Sequence, residues 1–132
     1  MCPDEIGGRE VTDVLLVDDD AAAIEEMAEC LEAAGFSVRQ AHSGEAALDA
    51  FSTCPPRVMI VDLRMPGLQG GALISFLDRI GTRTALVAMS GDSSALADEA
   101  VTRHALWAVR KPIPCAQLVD LTTALAARIA HE

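Results

Sequence analysis

Val14-Leu15-Leu16-Val17-Asp18-Asp19-Asp20 is a run of four aliphatic residues that stops at three carboxylates. Four consecutive apolar side chains leave no polar face. The run therefore reads as a strand buried on both sides, with the acids marking the loop where it leaves the sheet. Val58-Met59-Ile60-Val61 repeats the arrangement and also runs into an acid, Asp62. Ala85 to Met89 ends at Ser90, and Leu106 to Val109 runs on towards Lys111-Pro112. One further segment, Phe36 to Ala41, alternates apolar with polar residues, the pattern of an edge strand.

Helical patterns fill the gaps. Ile24, Met27, Ala28 and Leu31 recur at helical spacing, with Glu25, Glu26 and Glu29 on the other face, Asp20 as N-cap and Gly35 as the stop. Ser43 caps a second helix carrying Ala46, Ala47, Leu48 and Phe51, which ends before Pro55-Pro56. Met65-Pro66-Gly67 is the loop beyond the third strand, and Leu73, Ile74, Leu77 and Ile80 mark a third helix. A fourth is expected from about Ser94 to Arg103, and a fifth, striped by Leu118, Leu121, Leu125 and Ile129, runs almost to Glu132. Five strands alternating with five helices predict an α/β fold: a doubly wound, flavodoxin-like, five-stranded parallel sheet. The amphipathic second strand belongs at an edge, in agreement with strand order 2-1-3-4-5. Residues 1–12 read as an N-terminal tail and 13–132 as one domain.

The composition narrows the function. With 10 Lys+Arg against 20 Asp+Glu in 132 residues, the net charge of −10 argues against direct nucleic-acid binding and against anionic membrane surfaces. No basic start with an apolar run marks a signal peptide, and no stretch approaches membrane-spanning length, so a cytoplasmic location is expected. Cys2, Cys30, Cys54 and Cys115 show neither C-x-x-C nor zinc spacing and are read as reduced thiols without a chemical role. His42, His104 and His131 lie outside any cluster and read as surface residues.

In open α/β sheets, ligands bind beyond the carboxyl ends of the strands, where strand order reverses. Asp18, Asp19, Asp62, Ser90 and Lys111 all fall there. Carboxylates at contact distance repel by about 4 kcal/mol per pair at an effective dielectric near 20, so a cation is needed. An open, oxygen-only site favours Mg²⁺. With the charge balanced, Asp62 is placed to act as a nucleophile towards phosphorus, Lys111 and the Ser90 hydroxyl each meeting a phosphoryl oxygen and Asp19 holding the metal.

These residues resemble the receiver domains of two-component response regulators. The resemblance rests on L-L-V-D-D-D at the first strand, V-M-I-V-D-L-R-M-P-G around Asp62, A-M-S-G at Ser90, R-K-P-I at Lys111 and A-H-S-G-E-A-A-L from Ala41 to Leu48. It implies Asp62 as phosphoacceptor and Asp18, Asp19, Asp62 and the Arg64 backbone carbonyl as Mg²⁺ ligands. It further implies Ser90 and Lys111 as phosphoryl contacts and a cis Lys111-Pro112 bond. The function it implies is a phosphorylation switch and not a metabolic enzyme: a histidine kinase or phosphotransfer protein supplies the phosphoryl group, and a downstream protein or output domain receives the signal. The expected output surface is formed by the fourth helix, fifth strand and fifth helix.

The chain departs from the family's pattern in three places. Ala108 stands where receivers usually carry Tyr or Phe, Ile113 replaces the common Phe after Lys-Pro, and Leu68-Gln69-Gly70 replaces the usual residues after the Met-Pro turn. An aromatic switch at Ala108 is thus missing, leaving Ser90 to carry the change. Trp107 is expected on the opposite strand face, under the last helix. Arg64 and Asp92, two residues beyond Asp62 and Ser90, are expected to face each other. Two other classes fit less well. A haloacid-dehalogenase-type phosphatase expects D-x-D-x-T/V, which Asp18 to Ala22 fails, and a flavodoxin needs a phosphate-holding loop where Asp18-Asp19-Asp20 would repel phosphate. A partner-binding pseudo-receiver is opposed by the presence of Asp62, Ser90 and Lys111.

Overall fold

Strand β1 (Asp13–Val17) lies inside a parallel sheet with β2 (Ser37–Ala41), β3 (Val58–Asp62), β4 (Ala85–Ser90) and β5 (Trp107–Arg110), in the order β2-β1-β3-β4-β5. The computed structural model describes residues 5–6, 9–10, 13–65, 67–97 and 99–130. Every residue of β1, β3 and β4 is buried, as their unbroken apolar runs require, whereas β2 is half-exposed at one edge and β5 largely exposed at the other. Of the first twelve residues, Glu5–Ile6 and Arg9–Glu10 pair as two short antiparallel strands.

The helices are α1 (Ala21–Ala33), α2 (Gly44–Thr53), α3 (Gly70–Arg79), α4 (Ser93–Leu96), α5 (Glu99–His104) and α6 (Cys115–Ala130). Asp20 caps α1 by accepting from the Ala22 and Ala23 N–H groups, and Ser43 caps α2 through Ala46. Gly35 adopts φ +97°, the left-handed conformation that ends α1. The single fourth helix expected from Ser94 to Arg103 is two short ones. The Ala97 N–H turns back to the Ser93 carbonyl at 3.1 Å, closing α4 after one turn before the chain restarts at Glu99.

Side chains on the two sheet faces build two cores. Leu15, Val17, Met59, Val61, Leu86 and Ala88 face α2, α3 and Val101 of α5, while Val14, Leu16, Ile60, Val87 and Met89 face α1 and α6. Each fully buried aliphatic side chain contributes about 1.5–3 kcal/mol. Trp107 pairs with Val87 and so lies on the expected face, but it is 55% exposed and not covered by the last helix. The reason is that α6 packs over β3 and β4, leaving the outer strand open there. Among the described residues, no helix is long and apolar enough to cross a membrane.

The cysteines also depart from expectation. Cys30 and Cys115 form a disulfide across 85 residues, and Cys54 is disulfide-bonded as well. Cys2 and His131 lie outside the described residues, as does Pro66 of the loop after β3. Packing of α1 against α6 brings Cys30 to Cys115, and no local spacing in the chain announces it.

Candidate functional site

At their carboxyl ends, β1 and β3 deliver acids side by side because they pair in register, Val17 opposite Val61. Asp18 follows Val17 and is 1% exposed, and Asp62 ends β3 and is 6% exposed. Asp19, exposed, completes a cluster in which one carboxylate oxygen from each of Asp18, Asp19 and Asp62 lies within 4.8 Å of the others. These are three hard oxygen donors open to solvent on one side. That donor set suits a divalent cation such as Mg²⁺, which keeps waters and takes few carboxylates.

Lys111 follows β5, where a cis Lys111-Pro112 peptide carries the chain towards α6. Its ammonium donates to Asp18 Oδ2 at 2.7 Å and to Asp62 Oδ2 at 3.2 Å. The Arg64 N–H donates to Asp62 Oδ1 at 3.0 Å, and the Asp20 N–H donates to Asp18 Oδ1 at 2.9 Å, so both buried carboxylates are oriented from two directions. Burial raises the Asp62 carboxyl above its ordinary value. The Arg64 N–H and the Lys111 charge oppose the shift, and the negative charge of Asp18 adds to it. Burial alone would lower Lys111, but the hydrogen bond from its ammonium to Asp18 and the charges of Asp62 and Asp18 outweigh this and raise it. The site is thus net acidic, with one ammonium against three carboxylates.

Ser90 ends β4 and is fully buried. Its Oγ accepts from the Asp92 N–H at 3.1 Å, and its carbonyl accepts from the Lys111 N–H at 2.9 Å, which joins the β4 end to the lysine loop. Asp92, not Ser90, caps the next helix, through the Ser94 N–H at 2.9 Å. Arg64 and Asp92 form the expected ion pair across the mouth of the cleft. The Asp92 carboxyl lies below its ordinary value, chiefly through the Ser94 hydroxyl and N–H, with Arg64 adding a smaller part. Ala108 is an exposed methyl in the middle of β5, apart from the carboxylate cluster.

Gly70 is a positioning residue that the sequence reading treated only as part of a variable loop. A Cβ there would fall on the Asp62 carbonyl oxygen and crowd Leu63 Cα, so the start of α3 rests directly on the backbone that carries the acid. Two adjacent glycines at a helix start are the local hint, but the close approach is tertiary. Glu45 supports the same loop by accepting from the Leu68 N–H at 3.2 Å.

Residues 14–123 match the response regulator receiver domain family. The transcriptional regulatory protein FixJ of Azorhizobium caulinodans is 33% identical over 120 residues, which are 90% of this chain and 57% of FixJ. The chain thus spans little more than half the length of that curated relative. A CheY-like receiver domain from Methylobacillus flagellatus superposes with a TM-score of 0.80 at 30% identity, covering 88% of this chain and 99% of that one. The Francisella response regulator 1452 receiver domain gives 0.82 at 25% identity, covering 89% and 98%.

Proposed function

Because the chain belongs to the response regulator receiver domain family of two-component systems, we propose that it accepts a phosphoryl group on Asp62 from a histidine kinase or phosphotransfer protein. The observation that carries the reading is the Asp62 carboxylate, nearly buried at the end of a central strand, with the Lys111 ammonium at 3.2 Å and two further acids beside it. One Asp62 oxygen attacks phosphorus, and the P–N bond to the donor imidazole breaks as the P–O bond forms. The Arg64 N–H holds one carboxylate oxygen, which fixes the orientation of the nucleophile. The Lys111 ammonium, already between Asp18 and Asp62, moves its hydrogen bond to a phosphoryl oxygen and stabilises the charge that develops there. The Ser90 hydroxyl donates a hydrogen bond to a phosphoryl oxygen and draws the β4–α4 loop inwards.

Asp18, Asp19, Asp62 and the Arg64 carbonyl are the residues that would hold Mg²⁺, which supplies charge neutralisation at the phosphoryl oxygens. The protein catalyses only its own phosphorylation and hydrolysis, acts in the cytoplasm, and passes the signal through α4, α5, β5 and α6 to a downstream protein or output domain. Ala108 leaves that surface without an aromatic switch, so the Ser90 loop carries the change. Residues 13–132 form the receiver unit and 1–12 precede it. Incubation with acetyl phosphate and Mg²⁺ is expected to add one phosphoryl group by intact mass, and the addition is lost in EDTA and in Asp62→Asn. Undiminished labelling of Asp62→Asn would overturn the assignment.

A further inference from the structure

We infer that Cys30 and Cys115 form a thiol–disulfide switch acting on the phosphoacceptor site. This rests on the reading of Asp62 given above. Cys30 lies in the second half of α1, and Cys115 is the first residue of α6, with their Cα atoms 5.9 Å apart. Both line a groove of about 290 Å³ whose other walls include Asp20, Met27, Lys111 and Pro112. Cys115 is exposed and Cys30 half-buried, so a small thiol reaches the bond from solvent.

The placement matters because of what the bond ties together. Helix α1 starts three residues after Asp18, and Cys115 begins α6 directly after the four-residue segment Lys111 to Pro114. The disulfide therefore joins the two segments that carry the two partners of the Asp18–Lys111 ion pair. When it is closed, the lysine loop is fastened to α1 at its far end and the ammonium is held where a phosphoryl group arrives. When it is open, only packing and hydrogen bonds hold the loop, and a less tightly placed ammonium stabilises the transition state less well.

The fold does not need this bond as a staple. Fully buried aliphatic side chains fill both faces of the sheet, and a chain of this length can bury a self-sufficient core. In a reducing compartment such a disulfide is conditional and suits sensing better than architecture. Its formation balances as an exchange with a low-molecular-weight disulfide. The Cys30 thiolate attacks one sulfur of the oxidant, a mixed disulfide forms and one thiolate leaves. The Cys115 thiolate then attacks the Cys30 sulfur and expels the second. Two electrons pass to the oxidant, which becomes two thiols, and a dithiol reverses the sequence.

The test compares the full chain oxidised with glutathione disulfide and reduced with dithiothreitol, following Asp62 phosphorylation by acetyl phosphate and Mg²⁺. Reduction is expected to slow the initial rate at least about threefold. Cys30→Ser and Cys115→Ser should each run at the reduced rate in both buffers. Cys54→Ser should keep the response, which separates this bond from the one at Cys54. Equal rates in the two states, or a response that survives in Cys30→Ser, would overturn the proposal. If Asp62 takes up no phosphoryl group in either state, the phosphoacceptor reading fails, and the clamp is judged by amide hydrogen exchange over residues 111–118. Faster exchange on reduction supports it, and unchanged exchange overturns it.

Discussion

The two ends of β1 each carry a buried aspartate, Asp13 and Asp18, both 1% exposed, yet their surroundings differ completely. Asp13 meets Arg39 from the edge strand, which pairs with both carboxylate oxygens and also donates to the Ala50 carbonyl at 3.1 Å and the Cys54 carbonyl at 2.7 Å. The guanidinium answers the anion directly and is further used to tie down the end of α2. Asp18 shares a single ammonium with Asp62 while Asp19 stands beside them. A closed pair of this kind serves architecture. A surplus of negative charge at the mouth of a cleft is an unmet electrostatic demand, and the demand is what makes a site.

Four substitutions test that contrast. Arg39→Ala leaves Asp13 buried without its guanidinium and should lower unfolding free energy in urea by about 3–5 kcal/mol. A loss below about 1 kcal/mol would show that the closed pair is not structural. Lys111→Ala, at the open end, should slow Asp62 phosphorylation by about 10²-fold, with a far smaller loss of stability than Arg39→Ala. If its urea midpoint falls as far as that of Arg39→Ala, the two ends are alike after all. Asp62→Asn should raise the urea midpoint in the absence of divalent cations, because it removes a carboxylate whose charged form burial and Asp18 disfavour. A lowered midpoint would mean that the acidic surplus is already compensated. The smallest effect belongs to the Arg64–Asp92 pair, which is solvent-exposed and screened by water. Arg64→Ala should leave stability unchanged and speed the decay of phosphorylated Asp62 a few-fold, by opening the path of the attacking water. Unchanged decay would remove any gating role for the pair.

The open end was far more legible in the sequence than the closed one. Asp18, Asp62 and Ser90 announce themselves because each directly follows an apolar run, Lys111 comes one residue after another such run, and the sheet topology then places them together. Arg39 gives no such sign. It is one polar residue in an alternating edge strand, and its partners come from two other places in the chain, Asp13 at the start of β1 and Ala50 and Cys54 at the end of α2. Gly70 is hidden for the same reason, since only the docking of α3 on Asp62 shows why a side chain is barred there. The division of the expected fourth helix at Ala97 was likewise absent from the apolar spacing, which runs through both halves.

By itself the sequence determined the parallel sheet, its strand order and the acidic cluster with its lysine. Buried strands must be continuously apolar, and their polar ends must lie at the sheet's edge towards solvent. Only the tertiary structure decided how far each helix slides over that sheet. It is that position of α6 that exposes Trp107, which strand alternation places on the right face but cannot cover. The same packing of α6 against α1 brings Cys30 to Cys115 across 85 residues, where the chain shows only four scattered cysteines. Periodicity records which face a residue takes, whereas the neighbours on that face follow from the volumes and close contacts of elements distant in the chain.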